Sequence, residues 1–161
     1  MEKKDFLKLT EKLLLNYGFV KIGKTFFLDL DRAVIALRKT SDPFHAGRYI
    51  YYYNICFKDI HEDHPFNNKE DYKNMPEDLG VYKDVACWVE WAGKFAKTYF
   101  TPEDYSEEEW TSLWCEALHH AFDPLRDDFE NYVRENLGPE KIGMGIAQKK
   151  AFMERGLIFK K

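Results

Sequence analysis

The chain has 161 residues, of which 45% are hydrophobic and 32% are charged, and its formal net charge is −4 at pH 7. This composition is typical of one folded domain and excludes disordered and collagen-like chains. Its apolar runs are shorter than the roughly 18 residues that cross a bilayer, and charges in MEKKDFLKLTEK occupy the place of a signal peptide's apolar region, so we expect a cytoplasmic protein with no membrane span.

The first predicted element is an amphipathic helix over residues 3–17, where apolar side chains recur at helical spacing. Gly18 follows in the position of a left-handed helix cap. The apolar period then changes to two over residues 19–22 and 25–30, with Gly23–Lys24 between them. This pattern predicts a tight β-hairpin.

Two further strands are predicted over residues 32–39 and 48–58. The first contains AVIAL, which is apolar on both faces and therefore indicates a central strand, and the second reads RYIYYYNICFK. Short connections favour antiparallel neighbours, so we expect an antiparallel β-meander of four or five strands. Four side chains are expected to be centrally buried: Val34, Ala36, Ile55 and Phe57.

The middle of the chain is less regular. Residues 59–80 have no periodic apolar pattern and predict a long loop, of a length that is either functional or mobile. Residues 82–100 fit both a helix and a strand followed by a helix. Both interpretations stay open.

The C-terminal third predicts helices with single apolar stripes. Ser106 and Glu109 form a capping box before the first of them. Asp123–Pro124 is expected to start a new helix with proline at its first position, and Gly138–Pro139 separates a last helix. Strands followed by helices predict a single α+β domain over residues 1–161, with the C-terminal helices packed chiefly on one face of the sheet.

The order of these elements resembles a known family. The strings LLLNYGFVKIGKTFFLDLDRAVIALRKTS and YYYNICF, from Leu13 to Phe57, resemble a bacterial domain-of-unknown-function family numbered 4304. The resemblance includes a GF step after a helix, an FxxDL strand and a later aromatic strand. It implies a fold and a bacterial source, and it supplies no catalytic residue.

The cysteines and histidines are the first candidates for chemistry. Cys56, Cys87 and Cys115 are far apart and form no CxxC pair, so we expect reduced, mostly buried thiols. His119 and His120 are neighbours on a predicted helix and diverge, which favours surface positions.

The string His61–Glu62–Asp63–His64 is a candidate metal site, since imidazole and carboxylate bind divalent metals. His61 and His64 would be the ligands of a metal-assisted hydrolase, and Glu62 or Asp63 would be the base. The spacing differs from HExxH and falls in a predicted loop, so a solvated polar loop is the simpler interpretation. No cofactor is expected.

Aromatic residues offer a different alternative. Alternate tyrosines share one face of the fourth strand, and this face needs a cover. If the helices leave a cleft there, the protein is a small-molecule sensor. The predicted ligand-binding residues are Tyr51, Tyr53, Trp110 and Trp114.

The charge distribution bears on the choice of partner. Residues 1–58 carry 11 basic and 6 acidic side chains, residues 59–138 carry 7 and 20, and residues 139–161 carry 6 and 2. The acidic centre disfavours nucleic acid. Because no convergent catalytic set is visible, the sequence favours a non-catalytic binding or accessory protein that contacts another protein. Its oligomeric state stays open.

Overall fold

A computed structural model describes residues 1–81, 99–136, 150 and 153–154. In chain order its elements are α1 (Lys3–Tyr17), β1 (Val20–Ile22), β2 (Thr25–Asp29), β3 (Ala33–Ser41), β4 (Tyr49–Phe57), α2 (Lys69–Lys73), β5 (Leu79–Val81), a 3-10 turn (Pro102–Asp104), α3 (Glu107–Asp127) and α4 (Phe129–Asn136). The predicted α+β class is confirmed. The ambiguous segment lies outside the described residues from 82 to 98, as does most of the predicted last helix.

The strands form one antiparallel sheet with the order β1-β2-β3-β4-β5. The longest pairing joins β3 to β4, from Ala33 opposite Phe57 to Ser41 opposite Tyr49. This confirms the predicted meander. The four side chains expected at its centre, in the two most apolar strands, are all fully buried.

Two glycines allow the chain to turn between the first elements. Gly18 ends α1 with φ +121°, and its N–H donates to the carbonyl of Leu15. Gly23 opens the β1–β2 turn with φ +63°. Residues with a Cβ rarely adopt these angles, so glycine is needed at both positions.

The helix face of the sheet is the face covered by α1, α3 and α4. Here Phe6 of α1 stacks on Trp110 of α3, with ring centroids 4.4 Å apart. The indole N–H of Trp110 donates to the Thr10 hydroxyl, which donates in turn to the Phe6 carbonyl, both at 2.8 Å. These buried bonds join the two helices, so the predicted packing of helices chiefly on one face is confirmed.

The second face of the sheet carries a smaller apolar cluster. Its buried members are Ile22, Phe27, Val34, Ala36, Cys56 and Met75. Phe66 and Tyr72 pack against them, partly buried. Segment 59–78 therefore covers this face.

Residues 59–80 are more ordered than the predicted loop. They contain the five-residue helix α2 and the start of β5. Asn68 and Asp71 form a capping box for α2, but the helix buries no side chain. The sequence therefore had no apolar stripe from which the helix could be recognised.

The predicted helix start at Asp123–Pro124 is wrong, because α3 continues through Pro124 to Asp127. Proline inside a helix removes one hydrogen bond and costs about 3 kcal/mol. Burial of Phe122 and Leu125 on either side of it offsets this cost. In the described ranges, no helix combines the length and apolar character needed to span a membrane.

Candidate functional site

The four aromatic residues predicted to line a pocket are all buried on the helix face. Tyr51 makes an edge contact with Trp114 at 5.0 Å between ring centroids, and the two tryptophans are 5.7 Å apart. Both indoles therefore contribute mainly to the core. The two tyrosines line different cavities: Tyr51 lines one beside α1, and Tyr53 lines a groove along α3.

The cavity beside α1 has a volume of about 510 Å³. It lies between α1, the β1–β2 hairpin and the end of β3. We call it the lysine pocket, and its lining residues are Leu7, Thr10, Glu11, Lys21, Gly23, Lys24, Phe26, Lys39, Thr40, Ser41 and Tyr51. Its size falls in the range of small-molecule sites, about 300–1,000 Å³.

Positive charge predominates in the lysine pocket. Among the residues described, three lysines line it together with one carboxylate, Glu11, which contacts the Lys21 ammonium at 2.6 Å. Burial lowers the pKa of Lys39, and the positive charges of Lys3, Lys21 and Lys24 lower it further. The cations therefore repel one another, and an anion placed among them would relieve the repulsion.

Tyr51, which lines the lysine pocket, has a buried hydroxyl. The Tyr51 oxygen is closed to water and has no hydrogen-bond partner among the residues that the structure describes. Burial raises the pKa of this hydroxyl, although the nearby Thr10 hydroxyl partly opposes the effect. The Thr10 hydroxyl is already committed to the Phe6 carbonyl and the Trp110 indole. Tyr51 is therefore a protonated donor at neutral pH.

The sequence did not identify the lysine pocket as a site. Lys21 and Lys24 come together with Lys39 because the β1–β2 hairpin pairs with β3, Thr25 lying opposite Arg38. The available signal was the positive charge of residues 1–58. The excess of basic residues in this part of the sequence becomes a cluster of lysines only when the strands pair.

The two histidines of the predicted metal loop have different partners. The Nε2–H of His61 donates to Oδ1 of Asp78 at 2.6 Å, and that of His64 donates to the Asp71 carbonyl at 3.0 Å. Glu62 and Asp63 are exposed. A metal-assisted hydrolase at this loop stays a prediction, and its two histidine ligands are held by different partners in this structure.

A different set of candidate ligands includes His61. Among the described residues, Cys56, His61 and Asp78 form the one group of three whose ligand atoms lie within 4.8 Å of one another. Burial raises the pKa of the Cys56 thiol to about 12, with a further contribution from Asp78. No sequence pattern indicated Asp78, which is 17 residues from His61.

The prediction that the three cysteines are mostly buried is met only in part. Cys56 is buried as expected, whereas Cys115 is exposed. The reason is its place on α3, where the buried stripe contains Leu113, Trp114 and Ala117 and leaves position 115 outside. Cys87 lies outside the described residues.

The groove along α3 has a volume of about 740 Å³ and an acidic lining. Its lining includes His119 and His120, which are exposed as predicted. Asp123 accepts hydrogen bonds from the Tyr17 hydroxyl at 2.7 Å and from His119 Nδ1 at 2.8 Å. The bond from Tyr17 joins α1 to α3, whereas the bond from His119 lies within α3, so both have a structural role.

Comparisons with protein-family models, curated proteins and solved structures find no match to this chain. The resemblance to the family numbered 4304 stays a prediction from the sequence.

Proposed function

We propose that the protein binds a small organic anion in the lysine pocket. The observation that carries this proposal is the convergence of Lys21, Lys24 and Lys39 on a cavity of about 510 Å³, whose described lining includes a single carboxylate. A concave site with an excess of one charge concentrates ligands of the opposite charge. The small-molecule alternative raised by the sequence is therefore retained, with lysines and Tyr51 in place of the tryptophans.

The lining also limits the ligand chemically. Lysine ammonium groups recognise carboxylates and phosphates through charge-assisted hydrogen bonds. Leu7 and Phe26 supply the apolar part of the lining, so the ligand carries an apolar portion beside its charged group. Tyr51 would donate to an oxygen of the ligand after the side chains over its hydroxyl move aside.

A binding experiment with matched charge variants tests the proposal. A panel of aromatic and aliphatic carboxylates and phosphate esters is screened by thermal shift, and each hit is measured by calorimetry at low and high salt. We expect Lys39→Gln to weaken binding about tenfold or more, since a charged hydrogen bond contributes about 1.5–3 kcal/mol. Lys12→Gln removes an exposed lysine of α1 that does not line the pocket, and it should leave affinity unchanged.

Two results would contradict the proposal. One is a panel in which no compound stabilises the protein at millimolar concentration. The other is an equal loss of affinity in Lys39→Gln and Lys12→Gln, which would indicate general attraction to a positive surface.

We propose a second candidate function, contact with a protein partner, as the sequence favoured. It is supported by Phe44, which is 87% exposed on the β3–β4 connection. Aromatic side chains are enriched at protein interfaces. Phe44→Ser should abolish retention of a specific partner from a cell extract while Lys12→Gln retains it. Equal retention by both variants would remove Phe44 from the interface. Cytoplasmic location and bacterial origin stay predictions from the sequence.

A further inference from the structure

We propose that Cys56, His61 and Asp78 form a site for a divalent transition metal, with Zn²⁺ as the expected ion. The site lies on the second face of the sheet and is independent of the lysine pocket. Its three ligand atoms already lie within 4.8 Å of one another. Two of the three residues are buried, which separates the group from ordinary clusters of surface charge.

Strand register places the first two ligands together. In the β4–β5 pair, Ile55 lies opposite Leu79. The antiparallel ladder therefore puts Asp78 opposite Cys56, and directly opposite residues project on the same face. Cys56 belongs to the apolar cluster of the second face, whereas Ile55 and Phe57 pack on the helix face.

Hydrogen bonds hold Asp78 in this position. Its N–H donates to the Ile55 carbonyl at 3.0 Å, and its Oδ2 accepts the Phe57 N–H at 2.8 Å. One carboxylate oxygen is thereby fixed by the backbone, while Oδ1 stays directed at His61. A carboxylate held in this way is a preorganised ligand, because outer hydrogen bonds fix its direction.

A turn after β4 brings the third ligand into the group. The N–H of Ile60 donates to the Phe57 carbonyl and that of His61 to the Lys58 carbonyl, both at 3.0 Å. The His61 side chain is 27% exposed, whereas that of Asp78 is 2% exposed. His61 is therefore the ligand that can move. We expect an ion to enter from the solvent-exposed side of the site, past the His61 side chain.

The ligand set selects the class of metal. Thiolate, imidazole and carboxylate together suit Zn²⁺ and similar borderline ions, while Ca²⁺ and Mg²⁺ prefer oxygen alone. At Zn–N and Zn–O lengths of about 2.0–2.2 Å in tetrahedral geometry, His61 Nε2 and Asp78 Oδ1 would be about 3.4 Å apart. They are 2.6 Å apart in this structure. His61 must then withdraw from Asp78 by less than about 1 Å.

Metal binding needs no reactant besides the ion and water. The Cys56 thiol loses its proton to solvent, and the His61 proton moves from Nε2 to Nδ1 so that Nε2 can bind the metal. Three protein ligands leave one tetrahedral position, which water fills. The metal would connect segment 59–78 to β4 across the second face.

Cobalt substitution tests the site with controls drawn from the same chain. After chelator treatment, the 161-residue chain is titrated with Co²⁺ and then Zn²⁺. We expect one ion per chain, tetrahedral cobalt bands and a thiolate charge-transfer band. Cys56→Ser should abolish the charge-transfer band, whereas Cys115→Ser and Cys87→Ser should retain it.

The histidine pair provides a second, independent readout. His61→Ala should weaken Zn²⁺ binding by at least about a hundredfold, the upper end of the loss seen when an outer-shell partner is removed. His64→Ala should leave it unchanged, because His64 is not part of the group. This pair decides the matter even if Cys56→Ser fails to fold. Equal affinities in the two histidine variants, or no stoichiometric binding by the wild type, would overturn the proposal.

Discussion

The two faces of the sheet are covered in different ways. On the helix face, α1, α3 and α4 bury a continuous aromatic cluster that includes Trp110 and Trp114. On the second face, segment 59–78 covers a small apolar cluster and makes polar contacts through Asp78. Apolar burial needs no particular partner atoms, whereas each polar contact does.

This difference assigns separate roles to the faces. A large apolar area stabilises the helix face, since each large apolar side chain that is fully buried contributes about 1.5–3 kcal/mol. The second face depends on a few directed groups, and those same groups are candidate metal ligands. Truncations on the helix face are therefore expected to cause the largest losses of unfolding free energy. Substitutions on the second face are expected to affect metal binding most.

Trp114→Ala should produce the largest loss of stability. Trp114 is 1% exposed and contacts Tyr51 and Trp110. Truncation of a large core side chain costs about 3–5 kcal/mol. The unfolding free energy from urea titration should fall by that amount. The neighbouring Cys115→Ala serves as the control and should change it by less than about 0.5 kcal/mol, because Cys115 is exposed. A loss below about 1 kcal/mol for Trp114→Ala would show that the helix face does not dominate stability.

Asp78→Ala tests the second face and should have a smaller effect. The substitution leaves the buried Phe57 N–H without its acceptor and also removes the partner of His61. An unsatisfied buried donor costs about 1–3 kcal/mol. Urea titration with a chelator present measures this loss apart from any metal. Asp63→Ala, at an exposed position of the same segment, should be nearly neutral. Equal effects of the two substitutions would mean that Asp78 does not fasten the segment.

Prediction from sequence succeeded where the interactions were local. A period of two identified β1 and β2, and runs of apolar, β-branched and aromatic residues identified β3 and β4. Gly18 marked the end of α1, and the Ser106–Glu109 box marked the start of α3. These signals depend on residues within about four positions of one another. The helix face follows from them, because each apolar stripe needs a cover.

Prediction failed where distant residues decide the structure. β5 is three residues long, and Asp78 before it is fixed by the Phe57 N–H, 21 positions away. Pro124 stays within α3 because tertiary burial of its neighbours outweighs its local preference. The candidate metal ligands and the lysine pocket likewise depend on strand register, which composition and spacing do not reveal.

Asp123→Asn should have a modest, pH-dependent effect at the rim of the helix face. Partial burial alone would raise the pKa of Asp123, but hydrogen bonds from Tyr17 and His119 outweigh it and lower this pKa below its usual 3.8. The carboxylate therefore stabilises the fold fully above pH 3.8, and the contribution disappears as pH falls through the lower folded-state pKa. Its side chain is 34% exposed, so we expect a loss of about 0.5 kcal/mol at pH 7.

Urea titrations of the wild type and Asp123→Asn across acidic pH measure this difference. The two curves should converge as the Asp123 carboxylate becomes protonated. The exposed Asp127→Asn is the control, which should show no comparable convergence. A constant difference at all pH values would refute the ionic origin of the contribution.

Tyr51→Phe should have the smallest effect on stability although it changes the most buried tyrosine of the helix face. Within the described part of the chain its hydroxyl has no hydrogen-bond partner, so its removal loses no bond there and relieves the cost of keeping a polar group from water. The ligand-free protein should change by less than about 0.5 kcal/mol or become slightly more stable. Thr10→Val is the matched comparison, because it removes a hydroxyl with two partners and should cost about 1–3 kcal/mol. The affinity for the anion should nevertheless fall in Tyr51→Phe, since we propose that the Tyr51 hydroxyl donates a hydrogen bond to it. If Tyr51→Phe loses as much stability as Thr10→Val, the Tyr51 hydroxyl makes a stabilising contact within the fold. It is then not available to donate a hydrogen bond to a ligand in the lysine pocket.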